Sequence, residues 1–425
     1  MKTRKYLLPA AVAGVLAISL SACGGGGGGG ATQGSGDAAA NLDGRGPITY
    51  VTGKDNAGVQ KPTVDRWNAA HPDQKVTLKE QTDKADQQHD DLVQHFQAKQ
   101  SDYDLVTVDV VWTAEFAAKG WLQPLKDKMA VDTAQLLPST VAAASYNNTL
   151  FAVPVHSDGG MLYYRKDLVP TPPKTWDEMM SMCSIAKEKK IGCFAGQYQK
   201  YEGLTVNAAE AINTFGGKIV DDQGKATVNS AEAKEGLGKL VDAYKSGNIP
   251  KEAITFQEEQ GRQAFEDGKL LFHRNWPYVY NLAKTDGASK VKDTFAVAPL
   301  PGKDGPGASS LGGHSAAISV FSKNKATALD FAKFLLEDEQ QKFFALKGSL
   351  ASVKASLYND PAIVASAPYM PTLLTSIQNA VPRPVTPFYP GVTKAVQDNT
   401  YAAIKGDKTV DQALADMQAA IDSAK

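Results

Sequence analysis

From residue 47 onward, strand and helix signals alternate along the chain, and this alternation restricts it to an α/β fold with a largely parallel sheet. Pro47-Ile48-Thr49-Tyr50-Val51-Thr52 reads as a first strand that ends at Gly53. Residues 59–71 carry helical spacing and stop before Pro72. Val76-Thr77-Leu78 predicts a second strand, 86–100 an amphipathic helix with Leu92, Val93 and Phe96 on one face, and Leu105-Val106-Thr107-Val108 a third strand. Further on, 150–155 predicts an apolar strand that leaves a first lobe, and 269–272 another strand. Helices are expected over 176–190, started by Thr175 ahead of Asp177 and Glu178, and over 228–246, 327–346 and 409–424. No internal repeat of 20–50 residues interrupts this order.

Ahead of the folded part stands a different kind of segment. Lys2, Arg4 and Lys5 precede an uncharged apolar run over 7–20, followed by Leu20-Ser21-Ala22-Cys23. This is the layout of a secretory signal, too short to span a bilayer, where a helix needs about 20 residues. Leu-Ser-Ala-Cys resembles the bacterial lipobox, which implies cleavage after residue 22 and lipidation of Cys23, with an ordinary signal peptide and an incidental Cys23 as the alternative. Residues 23–46 begin with an unbroken glycine run over 24–30 and continue in Gly, Ser, Ala, Asn and Asp. Such a stretch has too little apolar surface to order itself, so it is expected to be a tether with a reach on the order of 25 Å. Its match to a dinucleotide-binding glycine pattern is trivial, since no strand precedes it.

Charge and cysteine use narrow the function. Without the three basic residues of the leader, the 45 Lys and Arg become 42 against 46 Asp and Glu, a net charge of −4. No basic stripe is present, which argues against nucleic acid. With Cys23 assigned to lipid, Cys183 and Cys193 remain. In an oxidising compartment they read as a disulfide, with two free buried thiols as the alternative. The six histidines, His71, His89, His95, His156, His273 and His314, are scattered in sequence and form no paired motif, so no metal and no cofactor are expected.

One stretch carries a family likeness. Met161-Leu162-Tyr163-Tyr164-Arg165-Lys166-Asp167-Leu168, followed by Pro170-Thr171-Pro172-Pro173-Lys174-Thr175-Trp176-Asp177-Glu178, resembles extracellular solute-binding proteins of the maltose-binding-protein type. The likeness continues through the strand, loop and Lys119-Gly120-Trp121-Leu122-Gln123-Pro124-Leu125 segment, and through 268–281. It implies a two-lobed, periplasmic-binding-protein-like α/β fold with a hinge and an interlobe cleft. It implies a small sugar as ligand, ABC importer transmembrane subunits as partners, a monomer, and no catalysis. The lobes are expected at 47–153 plus 313–350 and at 154–312 plus 351–425. Tyr201-Glu202-Gly203-Leu204-Thr205-Val206-Asn207, Gly312-Gly313 and Pro382-Arg383-Pro384 look like the branch that binds trehalose, maltose and related α-glucosides. Gly312-Gly313-His314 departs from the glycine-glycine-tryptophan motif familiar there.

A sugar site mixes aromatic faces, which cover the C–H faces of the ring, with charged groups that fix hydroxyls. By the likeness, Trp276 is the stacking ring, with Tyr278 beside it; core packing is the alternative for both. Asp109 ends a strand and would point to a cleft or cap a helix, and Trp112 lies three residues on. Asp55 and Asp158 match acidic ligand positions, against capping and turn roles. Glu202 matches the second-lobe ligand segment. Gly312 and Gly313 would let backbone approach the ligand, unless they only form a turn. Arg383, between two prolines, would donate two hydrogen bonds from a stiff loop or form a surface ion pair. Two other functions compete. An exported glycan hydrolase needs two carboxylates at fixed separation, and no nucleophile motif appears. A lipoprotein that binds another sugar or serves only as a sensor would carry the same cleft.

Overall fold

The computed structural model describes residues 41–221 and 223–424. The leader, Cys23 and all of the tether before Asn41 lie outside the described residues. β1 (Ile48–Thr52), β2 (Val76–Glu80) and β3 (Leu105–Asp109) run parallel, with β1 in the middle. Val51, Leu105 and Val106 are wholly buried, as expected for strands covered on both faces. The helices Gln60–Ala70 and Ala85–Gln97 return the chain between them. A short hairpin, β4 (Ser145–Tyr146) and β5 (Thr149–Leu150), turns at Asn147 and Asn148, both at positive φ, the conformation that two-residue hairpin turns require and asparagine tolerates.

The chain then crosses to a second sheet. β6 (Ala152–Gly159) belongs to the first sheet, and β7 (Met161–Arg165) to the second, so the exchange falls at Gly160. The second sheet has the order β10-β7-β9-β8, with β8 (Gly192–Ala195), β9 (Leu270–Asn275) and β10 (Phe295–Pro299). After the Pro- and Gly-rich loop 300–308, β11 (Ser309–Ile318) returns to the first sheet. It runs antiparallel to β3 on one side and to β6 on the other, and its first two residues pair with β12 (Ala380–Val381). Gly312 and Gly313 lie inside β11, not in a loop. The third exchange follows β12, after which Tyr389–Lys405 and Val410–Ser423 pack on the helices Glu202–Thr214 and Ala231–Lys245. Sheet membership thus changes at residue 160, at 309 and beyond 381, a few residues to some thirty residues from the lobe limits expected above.

Two helices expected to be continuous are broken. The segment 327–346 forms Lys325–Phe334 and Asp338–Gly348, separated by a turn. Leu335 and Leu336 are both buried at this turn. The Gln341 amide donates to the freed Leu335 carbonyl at 2.9 Å and to the Val155 carbonyl at 2.7 Å. Likewise 176–190 divides into Trp176–Ser181 and Cys183–Lys189. Its start is a capping box in which Thr175 Oγ1 accepts from the Glu178 N–H and Glu178 Oε2 from the Thr175 N–H. Cys183 and Cys193 are joined by a disulfide, which ties this second helix to β8. No helix among the described residues is long and apolar enough to cross a membrane.

Candidate functional site

Parallel strands of an open α/β sheet end on one side, and that side is where ligands bind. β1 and β3 deliver Thr52, Lys54 and Asp55, and Thr107 and Asp109, to that end. The central β6–β11 pair adds His156, Asp158, Gly312, Gly313 and His314. Opposite them lie the first turns of the helices Glu202–Thr214 and Glu258–Glu266, and the segment after β9 with Trp276 and Tyr278. The result is a cavity of about 220 Å³ between the two sheets. One water needs roughly 10–15 Å³ of such space, so the cavity has room for a small organic molecule.

Asp55, Asp109, Asp158, Glu202, Trp276, Tyr278, Gly312, Gly313 and Arg383 all line this cavity; Trp112 is not among the lining residues. The Trp112 ring is buried beside Phe116 and His89, because the chain turns into the helix Thr113–Ala118 immediately after it. Asp55 plays two roles. Its carboxylate accepts from the Val59 and Gln60 N–H groups at 3.1 and 2.6 Å, closing the start of a helix, while it lines the cavity. Asp109 Oδ1 accepts from the Val111 N–H at 3.1 Å and from Arg383 at 3.0 Å.

Arg383 is no surface residue: it is 3% exposed and bridges Asp109 to Glu202. Glu202 also accepts from the Tyr389 hydroxyl and, at 2.6 Å, from Thr393. Burial raises the Glu202 proton affinity, against the pull of Arg383. Burial would loosen the Arg383 proton, yet Asp109, Tyr389 and Glu202 together hold it more tightly than usual. This network joins β3 of the first sheet to a helix of the second. A second link between the lobes is the Glu202 N–H, which donates to Asp86 at 3.0 Å.

Trp276 sits on a built platform. Its ring lies 3.9 Å from the Arg274 guanidinium carbon, a cation–π contact. Arg274 is 1% exposed and held by both oxygens of Glu210, at 2.8 and 2.5 Å, and by Gln197 at 3.1 Å. A Cβ at Gly312 would fall 2.8 Å from the Trp276 ring, so the glycine there admits the indole edge. Gly313 has φ +113° and a Cβ would meet the His156 carbonyl at 2.3 Å, so only glycine fits. Both glycines thus serve the walls of the cavity.

Sequence reasoning missed Glu258 and Glu259, which open a helix into the cavity. Glu258 accepts from the Tyr201 hydroxyl at 2.7 Å, and Glu259 from the Tyr278 hydroxyl at 2.6 Å. Burial pushes the Glu258 carboxyl up in pKa, opposed by Tyr201. The signal was there: Gln257 and Gln260 form a capping box, which places the two glutamates in the first turn. It also missed His156 and His314, which β6 and β11 set directly opposite each other. Burial and the neighbouring His156 bring the His314 pKa down to about 4. With Asp55, Asp83, Asp109, Asp158, Glu202, Glu258 and Glu259 against Lys54 and Arg383, the lining disfavours an anionic ligand and offers acceptors for hydroxyl groups.

Two lobes, each built on its own sheet, with acidic and aromatic side chains turned into the space between them, define a protein that closes around a solute. Residues 51–342 match the bacterial extracellular solute-binding protein family, and the chain belongs to it. It is 34% identical over 306 residues to a probable ABC transporter-binding protein of Deinococcus radiodurans, spanning 69% of this chain and 72% of that one. A mannitol-binding protein of Pseudomonas aeruginosa is 28% identical over 349 residues, 74% of this chain and 79% of that one. The maltose-bound MalE3 of T. maritima has the same fold, with a TM-score of 0.84 and 34% identity over 88% of this chain and 98% of the other. As a family member the chain is a solute binder and not an enzyme.

Proposed function

We propose that this chain is the sugar-capturing lipoprotein of an ABC importer, with an α-glucosidic disaccharide such as trehalose or maltose as its solute. The observation that carries the reading is the Trp276 ring, on its Arg274 platform, sharing one cavity with Asp109, Asp158, Glu258 and Arg383. A sugar presents apolar C–H faces and a rim of hydroxyls, and this lining answers both. The maltose bound by the T. maritima relative supports the α-glucoside. The mannitol-binding relative favours a second reading, an open-chain polyol on the same lining. Lipid on Cys23 would anchor the protein outside the cell membrane, where it hands its solute, as a monomer, to the importer's transmembrane subunits.

Thermal melts and tryptophan emission of the pure protein, titrated with trehalose, maltose and mannitol, test this. A solute that binds only the native state at a hundred times its Kd adds about 2.7 kcal/mol. For a body of this size that raises Tm by about 3 °C. A rise with trehalose or maltose, without release of glucose, is expected. A rise with mannitol alone selects the polyol reading, and no rise with any of the three refutes both. Loss of membrane association on Cys23→Ala tests the anchor.

A further inference from the structure

We propose that His156, Asp158 and His314 form a binding site for one divalent transition-metal ion, held by two imidazoles and one carboxylate. The strand pairing builds it. His156 and Asp158 are two apart on β6 and so share one face, while the β6–β11 register sets His314 opposite His156 and Gly312 opposite Asp158. The register shifts immediately after His314, where the ladder leaves regular pairing. The ligand atoms of the three side chains all lie within 4.8 Å of one another.

The distances suit the ion. His314 Nδ1 and His156 Nε2 are 3.3 Å apart. Two nitrogens on a tetrahedral zinc, each at 2.0–2.1 Å, stand about 3.3 Å apart. Asp158 approaches the other nitrogen of the same imidazole, with Oδ2 at 3.4 Å from His156 Nδ1, and its carboxylate remains within the 4.8 Å span of the three ligand atoms. A plain hydrogen bond between the two rings leaves part of the cluster unpaired: His156 Nδ1 and Asp158 Oδ1 are buried without a hydrogen-bond partner among the described residues. Asp158 is only 8% exposed. Buried polar groups are nearly always paired, and an ion held by His156 Nε2 and His314 Nδ1 supplies a partner for the Asp158 carboxylate, while His156 Nδ1 is left facing Asp158 Oδ2. Imidazole with carboxylate suits zinc, nickel or iron(II) and not calcium or magnesium, which take oxygen ligands in larger number. Three protein ligands leave a coordination position open, and the cluster lines the solute cavity.

The test uses the full chain, stripped with a chelator and dialysed at neutral pH. Calorimetric titration with zinc chloride is expected to show one equivalent bound, and cobalt(II) the intense visible absorption of a tetrahedral site. His314→Gln and Asp158→Asn are each expected to weaken zinc binding by at least the roughly 10–100-fold that loss of an outer-shell partner costs. His89→Gln, outside the cluster, is expected to bind like the parent. Circular dichroism and the metal-free Tm establish that each variant is folded. Folded variants that bind zinc as the parent does overturn the proposal. Should a variant not fold, cobalt with the parent chain decides: a weak octahedral spectrum, or none, overturns it. A sugar titration in chelator reads the solute function by itself, so the two proposals fail separately.

Discussion

The stacking platform beneath Trp276 depends on one buried ion pair, and removing half of it should be costly. Arg274 and Glu210 are 1% and 6% exposed, and the guanidinium meets both carboxylate oxygens. Glu210→Gln removes the charge but keeps an acceptor for the Ser310 N–H, now at 3.0 Å from Oε1. What remains is an uncompensated buried cation, which costs about 3–5 kcal/mol. Unfolding entropy of roughly 2.1 cal/mol/K per residue gives about 0.8 kcal/mol/K for a body of this size, so Tm should fall by about 4–6 °C. Replacing both partners, Glu210→Gln with Arg274→Met, removes the unpaired charge and should recover most of that loss. Differential scanning calorimetry without sugar reads the melts, and tryptophan emission reads the indole above the pair. A Glu210→Gln melt within about 1 °C of the parent refutes the reasoning, as does a double variant that melts lower than the single one.

Gly312→Ala places a methyl 2.8 Å from the Trp276 ring, so overpacking should cost about 1–3 kcal/mol in urea melts and shift the tryptophan emission. Reducing the Cys183–Cys193 bond, which closes ten positions of chain, should cost about 2–3 kcal/mol in the chain-entropy account; an unchanged melt in reductant would contradict it. His89 and Glu115 form a pair at 2.7 Å. Burial lowers the His89 pKa, but Glu115 and Asp90 together more than offset it and the net shift is upward. Burial raises that of Glu115, but His89 and Lys119 bring the net shift down. The histidine contribution is therefore complete below about pH 6.5 and lost as pH rises through its raised value; the glutamate contribution is complete above about pH 4.5 and lost on acidification. His89→Gln should flatten the Tm profile on the alkaline side, and a profile parallel to that of the parent would count against the pair.

Much of the architecture was legible in the order of residues. Period-two and period-3.6 patterns are local, so β1, β2, β3 and the helices between them could be located to within a few positions. The breaks at Met182 and at 335–337 could not, because they depend on what the helix packs against and on Gln341 waiting to take a carbonyl. The candidate ligand residues were named by strand ends and family likeness, and the same logic took Trp112 into the list although its neighbours bury it.

What the sequence determined by itself was therefore the class of fold and which stretches meet at a cleft. Those signals are carried by short-range spacing and by composition. Tertiary structure alone decided the partners. Arg383 meets Glu202 across 181 positions, His314 meets His156 across 158, and Arg274 meets Glu210 across 64. Such contacts arise from sheet register and lobe packing, in which a side chain's neighbours come from remote segments, and no local periodicity encodes them.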